Sequence, residues 1–162
     1  MRRTVYNQDH EDFRAMIRDF IESEVVPVYA EWFAAGIAPR EFSKKLGDLG
    51  LFAIEVPTEY GGSGEESFQF QAILPAELSR AAVSFGGSGV HVGLCLPYLK
   101  ALATEEQKQR WLPGFMTGDI MFAIAMTEPG TGSDLAGMRT TAKLSEDGTH
   151  YVLNGAKTFI TG

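Results

Sequence analysis

The chain has 162 residues, 44% of them hydrophobic and 22% charged, a balance that buries a core and argues against disorder. Fourteen Lys and Arg against 21 Asp and Glu give a net charge of −7, which speaks against a general nucleic-acid binder and against a polybasic membrane anchor. A small anion held by backbone N–H groups stays compatible with that balance.

Residues 9–34 read as one amphipathic helix, with Phe13, Met16, Ile17, Phe20, Ile21 and Val28 at three- and four-residue spacings and Glu11, Arg14, Arg18 and Glu22 between them. Pro27 bends or breaks it, and Gly36 and Pro39 mark the exit. A short helix follows over 40–48, then a buried turn or extended piece through Leu51, Phe52, Ile54 and Val56. Glu59 to Gly64 is a glycine-rich loop. Helical signal returns from Glu66 to Val83, interrupted at Pro75. Residues 85–102 carry almost no charge, so a helix buried on most sides is expected, with Gly86, Gly87, Gly89 and Gly93 permitting close packing. Thr104 reads as an N-cap and Gln107 completes a capping box for a helix that ends near Pro113-Gly114.

After Gly118 the period changes. Met121 to Met126 suits a buried strand, Arg139 to Leu144 a second, and Tyr151 to Ile160 a third, with Asp147-Gly148 as a hairpin turn and Asn154-Gly155 as a turn or bulge. The expected fold class is α+β: an N-terminal all-α helical domain over 1–117, then the first strands of a β domain over 118–162. Three strands leave a raw sheet edge, which predicts that the sequence belongs to a longer protein.

Two segments carry candidate chemistry. Ala125-Met126-Thr127-Glu128-Pro129-Gly130-Thr131-Gly132-Ser133-Asp134 turns sharply, exposes N–H groups and adds hydroxyls, as a loop cradling a phosphate or a polar ring edge would. Taken alone, these are also ordinary turn residues. Asn154-Gly155-Ala156-Lys157-Thr158-Phe159-Ile160-Thr161-Gly162 offers an aromatic face and a hydroxyl, with Phe159 and Thr161 on one side of a strand. Taken alone, it reads first as an edge strand with a packed aromatic.

Together, in this order and some thirty residues apart, the two segments resemble the acyl-CoA dehydrogenase family. So do Pro57-Thr58-Glu59-Tyr60-Gly61-Gly62, Thr104-Glu105-Glu106-Gln107-Lys108-Gln109-Arg110-Trp111-Leu112-Pro113, and Gly118-Asp119 leading into the first strand. The resemblance covers essentially the whole chain. It implies an N-terminal helical domain and the opening of a middle β-barrel, with a C-terminal helical bundle in the complete family fold. It implies FAD as cofactor, bound by Ile124, Ala125, Met126, Thr127, Gly132, Ser133, Phe159, Ile160 and Thr161. Thr127 would meet the pyrimidine edge of the flavin, Ser133 would lie where the phosphates and the CoA ester come close, and Thr161 would approach N5. The family commonly has Trp where this chain has Phe159, which keeps a stacking face and loses an N–H donor.

The implied activity is α,β-dehydrogenation of an acyl-CoA thioester in fatty-acid catabolism, with an electron-transfer flavoprotein or similar acceptor and a homo-oligomeric full-length enzyme. The family base is a Glu of the C-terminal bundle, so no catalytic residue is assigned in this chain, and Glu128 is read as a carboxylate that holds its loop. The isolated chain is expected to be inactive and to bind FAD weakly or not at all. An acyl-CoA oxidase or flavin monooxygenase on the same scaffold, and a non-catalytic helical association module, are the alternatives. Val90 and Leu94 are candidate acyl-contact residues, with core packing equally open to them. His91 is read as a satisfied core histidine and Cys95 as a small buried hydrophobe; no metal site is expected. A lone cysteine, no apolar stretch behind Met1-Arg2-Arg3 and no run of ~18 apolar residues point to a cytoplasmic protein without a membrane span.

Overall fold

The computed structural model describes residues 4–160. The chain forms two compact units, Met1–Phe122 and Ala123–Gly162.

In the helical unit, α1 (Gln8–Phe20) opens on a capping box in which the Asn7 side chain accepts from the His10 N–H and His10 Nδ1 accepts from the Asn7 N–H. The single helix expected over 9–34 is resolved into α1, a π turn (Ile21–Val25) and α2 (Tyr29–Ala35). Pro27 lies in the gap between the last two, where it has no N–H to give and its ring would press on the carbonyl four residues back. Next comes α3 (Arg40–Asp48), which buries Phe42 and Leu46. A Cβ on its Gly47 would sit 2.5 Å from the Thr117 carbonyl, and one on Gly118 (φ +73°) 2.3 Å from the Ser43 oxygen. Glycine at both places lets backbone meet backbone.

The Glu59–Gly64 loop is a 3-10 turn (Thr58–Tyr60) folded back on the preceding segment, with Ser63, Gly64 and Glu65 N–H groups donating to Ala53, Val56 and Ile54. Then α4 (Phe68–Ala81) runs through Pro75 without interruption, against expectation. Proline in a helix costs about 3 kcal/mol. Fully buried Ile73 on one side of it and buried Glu77 on the other hold the helix against that cost. Glu77 accepts from Arg14 and Arg18 of α1 and from Arg80 of its own helix, at 2.9 to 3.2 Å.

Residues 88–102 form α5 (Ser88–Val90), a π turn (His91–Cys95) and α6 (Leu96–Leu102). This stretch is not buried on most sides. Ser88, His91, Cys95, Leu96 and Leu99 face the core, while Leu94, Tyr98 and Leu102 are 44%, 54% and 75% exposed. Low charge here reflects an apolar outer face. The glycines are not packing devices either, because a Cβ on Gly86, Gly87, Gly89 or Gly93 would meet nothing within 4 Å. The last helix, α7 (Glu105–Met116), has the expected Thr104–Gln107 capping box and continues through Pro113. Its Leu112 and Phe115 join Ile17, Ile21, Leu46 and Phe52 in the core.

In the second unit, β1 (Thr141–Leu144) pairs antiparallel with β2 (Tyr151–Asn154), Thr141 opposite Asn154 and Leu144 opposite Tyr151. The turn is the expected one: Gly148 has φ +69°, and Asp147 accepts from the Thr149 N–H and from the hydroxyls of Ser145 and Thr149. Residues 121–126 form no strand, because no described strand lines up beside them to pair with. Nor does a strand reach Ile160. It stops at Asn154, where Gly155 passes so close to Thr140 that a Cβ would lie 2.2 Å from Oγ1, and Phe159 has φ 55°, which no strand accommodates. Every residue of β1 and β2 is exposed.

Candidate functional site

Glu128 and Thr131 exchange N–H···O bonds of 2.9 and 3.0 Å, closing a tight turn around Pro129-Gly130. The Thr131 hydroxyl donates to Gly137 O at 3.1 Å, and the Gly137 N–H to Asp134 O at 3.0 Å, so the loop continues into the 3-10 turn Leu135–Gly137. A Cβ on Gly130 or Gly132 would meet nothing within 4 Å, which leaves that side of the loop open to a ligand.

The centre of this unit is ionic. Buried Glu128 accepts from the Arg139 N–H at 2.7 Å, the Thr140 N–H at 3.0 Å and Lys157 Nζ at 2.9 Å. Thr140, then the Arg139 N–H and the Lys157 ammonium, hold its carboxyl down at about 2. A carboxylate so placed is a poor proton acceptor; Glu128 holds the loop, as read from the sequence. Lys157 also donates to Met126 O at 3.0 Å, and the Thr158 N–H to Thr127 O at 3.0 Å. The two segments singled out in the sequence are therefore joined directly.

Of the candidate cofactor residues, Ile124, Met126 and Thr127 are half-buried, and Ala125, Gly132 and Ser133 are exposed. Phe159 is 92% exposed and Ile160 is exposed too; Thr161 lies outside the described residues. The Phe159 ring stands free of its own unit, available as a face for stacking. Lys157, which the sequence offered only as part of its segment, is the residue whose role went unread. Its signal was slight: one cation two residues after Asn154-Gly155, opposite the one acidic residue of the Gly-rich loop that precedes a proline.

The candidate acyl-contact residues belong to the helical unit. Val90 is half-buried and Leu94 exposed. That unit holds a largely apolar cavity of about 190 Å³, and the helix lines it with Ser88, Gly89, Val92 and Gly93 rather than with Val90 or Leu94. Glu55, also at its wall, has its carboxyl raised by burial. His91 is fully buried: its Nε2–H donates to Phe115 O at 3.2 Å and its Nδ1 accepts the Phe122 N–H at 3.0 Å. Burial, only partly opposed by the bond to Phe115, lowers it to about 4. Among the described residues no group of His, Cys, Asp or Glu is disposed to hold a metal ion, and no helix is long and apolar enough to cross a membrane.

Comparison with known families matches residues 7–119 to the acyl-CoA dehydrogenase N-terminal domain and residues 123–162 to the acyl-CoA dehydrogenase middle domain. The chain belongs to the acyl-CoA dehydrogenase family. Among the family's curated members it is 39% identical over 159 residues to the mitochondrial long-chain specific acyl-CoA dehydrogenase of Sus scrofa, an alignment covering 98% of this chain and 36% of that protein. The crystal structure of an acyl-CoA dehydrogenase from Geobacillus kaustophilus superposes with a TM-score of 0.88 at 43% identity, over 97% of this chain and 40% of that one. The Bacillus anthracis acyl-CoA dehydrogenase complexed with FAD gives 0.79 at 38%, over 97% and 27%. The chain thus spans well under half the length of these family members.

Proposed function

We propose that this chain supplies the flavin-facing segments of an FAD-dependent acyl-CoA dehydrogenase acting on acyl-CoA thioesters. The observation that carries the reading is the junction of Thr158 N–H with Thr127 O and of Lys157 with Met126 and Glu128, which joins the two candidate cofactor segments. The open side of Gly130 and Gly132 and the free ring of Phe159 suit a bound flavin, and the FAD complex of the Bacillus anthracis relative supports that choice of cofactor.

In this reading the N–H and hydroxyl of Thr127, with the backbone of Ile124 to Met126, meet the polar edge of the isoalloxazine. Gly132 and Ser133 would take the side nearer the phosphates, and Phe159 and Ile160 would pass behind the ring, with Thr161, outside the described residues, assigned to the flavin with them. When bound, FAD accepts the hydride equivalent that leaves the β carbon of the acyl group. A donor at Thr127 would stabilise the negative charge that arrives with it. No residue of this chain is assigned the removal of the α proton; the bonds Glu128 accepts from Arg139, Thr140 and Lys157 support its reading as a loop-holding carboxylate. Val90 and Leu94 are assigned to the acyl chain, an electron-transfer flavoprotein to the acceptor's role, and the cytoplasm as the location. Homo-oligomerisation is assigned to the full-length enzyme.

A chimera tests the reading. Residues 1–162 would replace the matched part of the Geobacillus kaustophilus enzyme. The chimera is expected to co-purify with flavin and to dehydrogenate an acyl-CoA with an electron-accepting dye. A chimera folded by circular dichroism but free of flavin would overturn the proposal, and oxygen consumption without added acceptor would turn it towards an oxidase.

A further inference from the structure

Phe122 is the last residue of the helical unit, and the segment assigned to the flavin begins two residues later. Its N–H is taken up by a side chain, His91 Nδ1, at 3.0 Å. The same ring gives its Nε2–H to Phe115 O at 3.2 Å, within the last turn of α7. A carbonyl only accepts and an N–H only donates, so the two bonds fix the neutral Nε2–H tautomer. The ring is locked further by stacking on Phe115, with centroids 3.7 Å apart, and by the edge of Phe52 at 4.7 Å. Its backbone lies in the π turn His91–Cys95, where the Leu96 N–H reaches back to the His91 carbonyl. Such turns occur often at functional sites.

Any buried histidine needs its ring nitrogens satisfied, so it is the choice of partners that bears on its role. Here both ring nitrogens are used, one on the end of α7 and one on the chain leaving the unit. We infer that His91 is a positioning residue: it fixes to the end of α7 the backbone of Phe122, the residue of the helical unit after which the segment assigned to the flavin follows in the chain. This inference rests on the reading of that segment as flavin-facing. The flavin content of the chimera tests that reading, whereas the experiment below tests the tether, so either can fail alone.

Two variants of the 162-residue chain separate the tether from the packing. His91→Phe keeps a ring between Phe52 and Phe115 and offers nothing to the Phe122 N–H. His91→Asn gives up the ring but carries a carbonyl oxygen near the place of Nδ1. Amide exchange and backbone chemical shifts are read by nuclear magnetic resonance, with the α7 amides as the internal control. In His91→Phe the Phe122 amide is expected to exchange about tenfold faster, and the shifts of residues 123–127 to move, while α7 keeps its protection. His91→Asn is expected to restore much of both. Unchanged Phe122 exchange in His91→Phe would overturn the inference. So would equal loss of protection across α7 and Phe122 in both variants, which marks a residue of the core and nothing more. Should His91→Phe not fold, loss of Phe122 protection in a folded His91→Asn decides against the tether, and its retention decides for it.

Discussion

At the scale of single residues, two buried titratable groups both cost the fold stability as pH falls, over different windows. His91 is neutral in the fold, at about 4 against an ordinary 6.5, because it is desolvated. Unfolded chains take up this proton as pH falls through 6.5 and folded ones do not until about 4, so stability declines across that window and levels off below it. The decline is on the order of 3 kcal/mol. Urea unfolding of the wild type and of His91→Phe between pH 7 and pH 4 checks it: the variant should show the shallower slope. For Glu128 the folded value of about 2 lies below the ordinary carboxylate range. Its contribution is complete above that range and is lost as pH falls towards 2. Lys157→Ala should remove part of it at neutral pH, seen as faster exchange of the Arg139 and Thr140 amides that Glu128 holds.

At the scale of elements, local rules were legible where they acted alone and misleading where packing opposed them. The Thr104–Gln107 capping box and the Asp147-Gly148 turn stand as the sequence indicated, since each is satisfied by its own neighbours. Pro75 signals an interruption because nothing local shows that Glu77, two positions on, meets Arg14 and Arg18 some sixty residues away. The 121–126 run has the pattern of a strand, and apolar spacing cannot reveal whether a partner strand exists. In the site, the two segments were legible from their glycines and hydroxyls, but Lys157, which joins them, was not: its partners are 29 and 31 residues away.

Glycine gives a sharp test at the same scale. Gly89 has open space where a Cβ would go, so Gly89→Ala should raise stability by roughly 0.5–1 kcal/mol. Gly118→Ala should lower it by about 2 kcal/mol or more, since φ is +73° and the Ser43 oxygen stands in the way. Thermal or chemical unfolding reads both, and the opposite signs matter more than the sizes.

At the scale of the molecule, the helical unit carries an apolar core and an apolar outer face, Leu94, Tyr98 and Leu102 on one helix. Faces of this kind associate in water. Sedimentation of the 162-residue chain should therefore show mass rising with concentration, and Tyr98→Lys should reduce the effect without changing the unfolding free energy by more than about 0.5 kcal/mol.

The second unit differs in what its folding removes from water. Its buried residues, among those described, are Glu128 and Thr131, both polar, while Leu144, Tyr151, Val152 and Leu153 remain exposed. Heat-capacity change and denaturant sensitivity both scale with surface newly exposed on unfolding, and the heat-capacity change is dominated by the apolar part. Calorimetry on this chain should thus register almost only the residues up to Phe122. The hairpin and the Glu128 turn can open with little thermal signature, so their state has to be followed residue by residue.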